Sequence, residues 1–282
     1  MLTLFQSALH QLAKRNRIRN YIQNANIRIH TKIEFQRIFK FIENCRPIQT
    51  EHPLIRIGAD YDGGYVIADD LTALDACFSP GVSTIADFEL AMAERGLPCF
   101  MIDFSVDAPP IAHPLFHFQK KFLGNETKGD FISLPDWVAA CAPQSRDLIL
   151  QMDIEGAEIA AILGTPSAIL RKFRHLIIEF HWLEHLLDPA GLYMFEQVFD
   201  KLLADFDVVH CHPNNCLDAV RIGGIEIPQF LEISFLRKDR SKHREALTTS
   251  FPHPLDRPNI PAYEDTILHP AWYRSDFIFP KS

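Results

Sequence analysis

Glycine is scarce, with 12 in 282 residues, and none fall in a G-x-G-x-x-G pattern. That absence weighs against a dinucleotide site, where closely spaced glycines let a helix N-terminus approach a pyrophosphate. No CxxC pair occurs among the six cysteines, Cys45, Cys77, Cys99, Cys141, Cys211 and Cys216. Redox dithiol motifs and zinc ribbons are therefore missing. Reduced cysteines in a cytoplasmic chain are the expectation. Cys77, Cys99 and Cys211 lie in apolar, strand-like runs, where the thiol behaves as a small hydrophobe. Cys211 and Cys216, with His210 and His212 beside them, are the nearest thing to a zinc set, at a spacing that matches no familiar pattern.

Long apolar runs are also lacking. None reaches the roughly 18–20 residues that a membrane span needs. The opening MLTLFQSALHQLAKRNRIR puts a broken apolar run before its basic cluster, the reverse of a secretory signal. No internal repeat is visible. An overall excess of positive charge is absent: the formal net charge is −8. Residues 1–50 carry nine Lys or Arg and two Glu, so the rest of the chain is close to −15. An acidic body disfavours nucleic acid as the main partner, because phosphate binding needs a basic face.

What is present reads as an α/β protein. Apolar residues from Leu4 to Ile42 recur at helical spacing among basic residues, with no proline before Pro47. They predict N-terminal helices over residues 1–50, either a layer packed on the body or a basic amphipathic surface for peripheral membrane association. From residue 76 onward strand-like and helix-like runs alternate: ACFSPG, TIADFELAMAERG, PCFMIDFS, LFHFQKKFLG, LPDWVAACA, DLILQMD, AEIAAILG, PSAILRKF, HLIIEFHW and GLYMFEQVFDKLLADF. Such alternation predicts a doubly wound, Rossmann-like parallel sheet. FDVVHCH and FLEISFLRK leave no room for a normal helix between them, which predicts an antiparallel terminal hairpin. The expected organisation is helices over 1–50, a Rossmann-like domain over 51–250, and a proline-rich tail over 251–282 packed on the domain.

In such sheets ligands lie beyond the carboxyl ends of the strands. Asp103, Asp153, Glu179 and His212 all fall near predicted carboxyl ends. Gly81 ends the first strand in a turn that lets backbone approach a ligand, with Ser79 beside it. Asp103 follows about twenty residues later, the spacing of a carboxylate that holds ribose hydroxyls. Asp62, Gly63 and Gly64 form a turn whose backbone N–H groups are candidates to meet a ligand carboxylate. In LILQMDIEGAEIAAIL (148–163) a buried strand ends in Asp153, and Gly156 allows a tight turn into a helix. Glu155 and Glu158 then stand in the first helical turn, where negative charge is favoured.

MDIEGAE (152–158) resembles the strand-end motif of the FkbM family of methyltransferases. RIGADYDGGYVIADDL (56–71), HCHPNNC (210–216) and IPQFLEISFLRKD (227–239) resemble segments of a branch that includes methyltransferase-like proteins. The resemblance spans roughly residues 54 to 260; the family's glycine-richer first motif is replaced here by FSPGVST. It implies a class I methyltransferase fold, S-adenosylmethionine as methyl donor, and a hydroxyl acceptor on a saccharide, glycolipid precursor or other small molecule. The alternatives are an NAD(P)-dependent oxidoreductase and a non-catalytic binding protein of the same fold.

On that reading Asp153 faces the reacting methyl and also contacts the donor. His181 is the first candidate base and His212 the second, since a neutral imidazole has a suitable proton affinity. Asp153, Glu179 and His181 are also candidate ligands for a divalent metal such as Mg²⁺. Asn214 and Asn215 are candidates for sugar hydroxyls. Trp272 and Tyr273 either stack on a sugar or anchor the tail in the core.

Overall fold

The computed structural model describes residues 35–280. The chain opens with α1 (Phe35–Asn44) and the two-residue β1 (Ile48–Gln49), followed by a hairpin of β2 (Leu54–Gly58) and β3 (Gly64–Ala68). Next come β4 (Ala76–Pro80), α2 (Asp87–Glu94), β5 (Cys99–Ile102) and β6 (Phe116–Gln119). A small pair, β7 (Phe122–Gly124) and β8 (Phe131–Ser133), leads into α3 (Leu134–Cys141). The second half runs through β9 (Leu148–Met152), α4 (Glu158–Gly164), α5 (Ser167–Leu170), β10 (Phe173–Phe180), α6 (Pro189–Asp205) and β11 (Phe206–Pro213). It continues with β12 (Val220–Ile222), β13 (Ile225–Ile227), β14 (Leu231–Arg237) and β15 (Glu245–Ala246).

Every residue of β4, β9 and β10 is buried. Strands covered on both faces should read as continuous apolar runs, and these do. They form the centre of a seven-stranded sheet of order β11-β14-β10-β9-β4-β5-β6. Only β14 runs antiparallel to its neighbours; the other neighbouring pairs are parallel. Side chains alternate between two cores. Phe78, Leu150, Ile178 and Phe180 face one, with Trp137 and α6; Cys77, Ile149 and Ile177 face the other, with α2.

Three segments carry detail that the sequence pattern does not convey. GYVIA is strand β3, but it pairs only with β2 in a separate hairpin. The run 115–124 splits into β6 and β7, which belong to different sheets. The β11–β14 connection is not featureless, since it carries the β12–β13 hairpin. The predicted antiparallel pair at the sheet end is present as β11 and β14.

Helix α1 is bound to the body through Phe41, whose ring meets Phe199 edge-on at 4.8 Å, and through an Arg37–Glu196 ion pair. Residues 1–34, on which most of the basic amphipathic reading rests, lie outside the described residues. Among the described residues no helix is long and apolar enough to cross a membrane. The last part of the chain lies over the body. Trp272 is fully buried and its Nε1–H donates to the Glu226 carbonyl, so it anchors the core.

Candidate active site

The sheet order fixes where a crevice must open. β4 pairs with β5 on one side and with β9 on the other, so the chain changes direction of travel between β4 and β9. In open α/β sheets this switch point, beyond the carboxyl ends, is where ligands bind. Here it is made by close backbone contact. Gly81 has φ +91°, and a Cβ there would lie 1.6 Å from the Asp153 carbonyl oxygen. Only glycine lets the turn after β4 approach the end of β9 this closely.

A cavity of about 620 Å³ occupies this crevice, within the range that holds small ligands. Asp62, Gly63, Gly81, Asp103 and Asp153 all line it. Asp103 lies beyond β5 and is already oriented. Its Oδ2 accepts the Ser83 N–H at 2.8 Å, and its Oδ1 accepts the Ser105 N–H and hydroxyl, both at 2.7 Å. Two predicted cofactor residues are not in the lining. Ser79 is fully buried, and its hydroxyl is held by Glu89 and Gln151 beneath the cavity. Gly64 serves the β2–β3 turn, where a Cβ would meet the Ala59 carbonyl at 1.9 Å.

One wall consists of aromatic rings that alternation alone did not assign to the site. Phe104 stacks on Phe122 at 4.6 Å, and Phe122 stacks on Phe131 at 5.1 Å. All three line the cavity. Phe122 and Phe131 remain exposed, and with Phe104 they form a contiguous apolar face on the cavity.

The acidic end lies where β9 and β10 finish. Asp153 has one oxygen, Oδ1, that is buried without a hydrogen-bond partner. Burial pushes its carboxyl up to about 7, against the opposing pull of His181. Glu179, on β10, is raised well above the ordinary carboxylate range by burial and by the charges of Asp153 and Glu232. Asn214 donates to Glu179 Oε1 at 2.9 Å. Asp62 is also raised, by burial and by Glu232.

His181 follows β10 and is 4% exposed. Its Nδ1 lies 3.1 Å from Glu158 Oε1; its Nε2 lies 3.6 Å from Asp153 Oδ1 and 3.5 Å from Glu155 Oε2. Burial alone would lower this imidazole, but the hydrogen bond and charge of Glu158, with Asp153 and Glu155, more than reverse it. Glu158 is 1% exposed, and Oε1 also accepts the Ile154 and Gly156 N–H groups at 3.1 Å each. The carboxylate expected only to favour a helix N-terminus is thus the buried anchor for both the turn and the histidine.

Asp153, Glu179 and His181 offer ligand atoms within 4.8 Å of one another, the only such set of three or more acidic, histidine or cysteine residues among the described residues. The zinc reading of the 210–216 segment does not hold. Cys211 is buried with its Sγ toward the Cys45 carbonyl, and His210 is bonded to Asp256. His212 is not brought to the cavity either. Its Nδ1 lies 3.3 Å from Glu232 and its Nε2 3.1 Å from Asp265. Burial opposes its charge, yet these two acids push it up to about 10. With both nitrogens engaged, it has no lone pair to offer as a base. Asn215 bonds the Ile260 and Glu264 carbonyls within the tail.

The strand order, with one antiparallel strand beside the edge, is that of the class I methyltransferase sheet. No protein-family model and no curated protein matches the chain. Among solved structures, it is similar to a 16S rRNA (adenine(1408)-N(1))-methyltransferase from Catenulisporales acidiphilia at 13% identity and TM-score 0.30, over 66% of this chain and 98% of that one. It is similar also to the antibiotic-resistance methyltransferase Kmr at 12% identity and TM-score 0.29, over 66% of this chain and all of that one. Likeness at this level carries no argument about chemistry.

Proposed function

We propose that the protein transfers a methyl group from S-adenosylmethionine to a hydroxyl of a saccharide, glycolipid precursor or related small acceptor. The observation that carries this reading is the charge of the cavity. Asp62, Asp103, Asp153 and Glu155 line it against the single base Lys121. Such a lining suits a ligand with a sulfonium and an ammonium group and opposes the pyrophosphate of a dinucleotide. The unpartnered Asp153 oxygen fits the same ligand, because a buried acceptor calls for a donor or a cation.

Asp103 would hold the ribose hydroxyls, the Phe104–Phe122–Phe131 wall the adenine, and Asp62 and Asp153 the charged amino-acid end. Bound there, S-adenosylmethionine supplies an electrophilic methyl on a positively charged sulfur. An alcohol must lose its proton as it attacks. Asp153, raised to about 7, has the proton affinity to take it near neutral pH. His181, held toward its protonated form among three carboxylates, acts here as the charge that steadies the Asp153 carboxylate, in place of the base its position suggests.

Calorimetry with S-adenosylhomocysteine tests the donor assignment. The wild-type protein should bind it, and Asp103→Ala should weaken binding by about tenfold or more, the loss of one or two hydrogen bonds to a charged group. No binding to the wild type, or unchanged affinity in Asp103→Ala, would overturn the assignment. Binding of NADPH in its place would favour the oxidoreductase reading.

A further inference from the structure

We propose that Asp153, Glu179 and His181 bind a divalent hard cation, Mg²⁺ or Mn²⁺, at the acceptor end of the cavity. Their ligand atoms already converge within 4.8 Å, a spacing that a single ion with bonds of about 2.1 Å can bridge. Asp153 and Glu179 meet carboxyl to carboxyl with no Lys or Arg between them. Asp153 Oδ1 is the oxygen left without a partner.

His181 has the orientation of a metal ligand. Metal-bound imidazoles ordinarily donate the second ring N–H to a carboxylate, which fixes tautomer and direction. Here Nδ1 stands 3.1 Å from the buried Glu158, and Nε2 is turned to the Asp153 side, where a divalent ion would displace the proton that Nε2 carries in the ion-free protein and take its lone pair. The contacts of Nε2 to Asp153 and Glu155, at 3.6 and 3.5 Å, exceed the roughly 2.7–2.9 Å of a charge-assisted hydrogen bond. Glu179 is positioned in turn by Asn214 at 2.9 Å. Each first ligand except Asp153 thus has an outer partner fixing it, and Asp153 is fixed by the backbone contact with Gly81.

The donor set selects the ion. Two carboxylates and one neutral imidazole carry two negative charges, which a divalent ion offsets. Oxygen-rich sets suit Mg²⁺ and Mn²⁺, whereas zinc sites favour thiolate and several imidazoles. Asp153 borders the cavity, so open coordination positions face it and can be filled by water or by an acceptor hydroxyl. With Oδ1 on the ion, the second Asp153 oxygen remains available for the hydroxyl proton. The link to an acceptor rests on the methyl-transfer reading; the cation site itself stands on the side-chain geometry. The competing arrangement is a proton shared between Asp153 and Glu179 with no ion at all.

The experiment is Mn²⁺ titration of the full-length protein, stripped of metal, followed by electron paramagnetic resonance, with S-adenosylhomocysteine affinity measured in parallel. One Mn²⁺ per chain is expected. Glu179→Gln should weaken it at least tenfold, and Glu158→Gln, which touches no ion, should weaken it by a similar factor through His181. Both variants should retain S-adenosylhomocysteine affinity, which shows that they are folded. No Mn²⁺ binding at millimolar concentration, or equal binding by Glu179→Gln, overturns the cation site and favours the shared proton. Mn²⁺ binding without S-adenosylhomocysteine binding leaves the site standing and removes the methyl-transfer reading.

Discussion

Strands β9 and β10 carry a cluster of buried charge at each end, and the two ends are built on opposite principles. At the amino ends, Arg174 is 2% exposed and pairs with Asp70 at 3.4 Å and Asp147 at 3.1 Å. Arg237 adds a second contact to Asp147 at 2.8 Å, and Arg240 one to Asp70 at 2.7 Å. Burial works against both aspartates, but the guanidinium groups hold them below the usual carboxylate range. At the carboxyl ends Asp153 and Glu179 have no guanidinium, and both are raised. Acids gathered at one pole of this strand pair are thus settled, and those at the other are unbalanced. A balanced cluster is complete without a ligand; an unbalanced one gains from a cation or a proton. That is the physical ground for placing the chemistry at the carboxyl ends.

The comparison can be broken most forcefully at Arg174. Arg174→Met would leave Asp70 to Arg240 and Asp147 to Arg237 alone, and would take the donor from the Asp70 and Thr72 carbonyls; it should destabilise the fold by about 3 kcal/mol, read from urea denaturation. A loss under 1 kcal/mol would mean that the amino-end network contributes little to stability.

His212 gives an intermediate case, in which the counter-ion to two acids can itself titrate. Its folded value is near 10 against an ordinary value of about 6.5. A raised value means the folded state holds the proton more tightly. The stabilisation is complete below about pH 6.5 and disappears as pH climbs toward 10, on the order of a few kcal/mol in all. His212→Gln should flatten that dependence in equilibrium unfolding measured between pH 6 and pH 10; an unchanged slope would remove His212 as its source.

The smallest effect is expected at Glu179, with the opposite sign. In metal-free protein, Glu179→Gln removes a poorly accommodated buried carboxyl while retaining the Asn214 contact. It should leave stability unchanged or raise it by about 1 kcal/mol. A clear loss would show that the carboxyl-end acids are as structural as those around Arg174.

The residues legible in the sequence were those whose meaning is local. An acid that ends an apolar run marks a strand end, and this suffices to find Asp103 and Asp153. A glycine after such a run marks a turn, which finds Gly81, though not that its reason is the Asp153 carbonyl. What escaped depends on partners distant in the chain. Glu158 reads as an ordinary first-turn acid until β10 brings His181 against it, 23 residues away. His212 reads as a base until Asp265, 53 residues downstream, closes on it. GYVIA carries a sound strand signal, but periodicity does not say which sheet a strand will join. The aromatic wall escaped for a related reason, since Phe104, Phe122 and Phe131 converge only once β7 and β8 pair.

The segment after Ser250 shapes how this protein can be handled. It supplies Asp256 to His210, Asp265 to His212 and Asn259 to Glu232, and its Ala271 carbonyl receives Arg46 at 2.9 Å. None of those tail residues lines the cavity, although the Asn259 carbonyl also accepts the Asp62 N–H at 3.3 Å, and the tail both partners and covers these groups. A version shortened to Ser250 would keep every residue proposed for chemistry, yet would strip two imidazoles and a carboxylate of their partners and lay bare the apolar surface that Phe251, Leu268 and Trp272 cover. Its failure would appear as insolubility in the expression host long before any assay could be run.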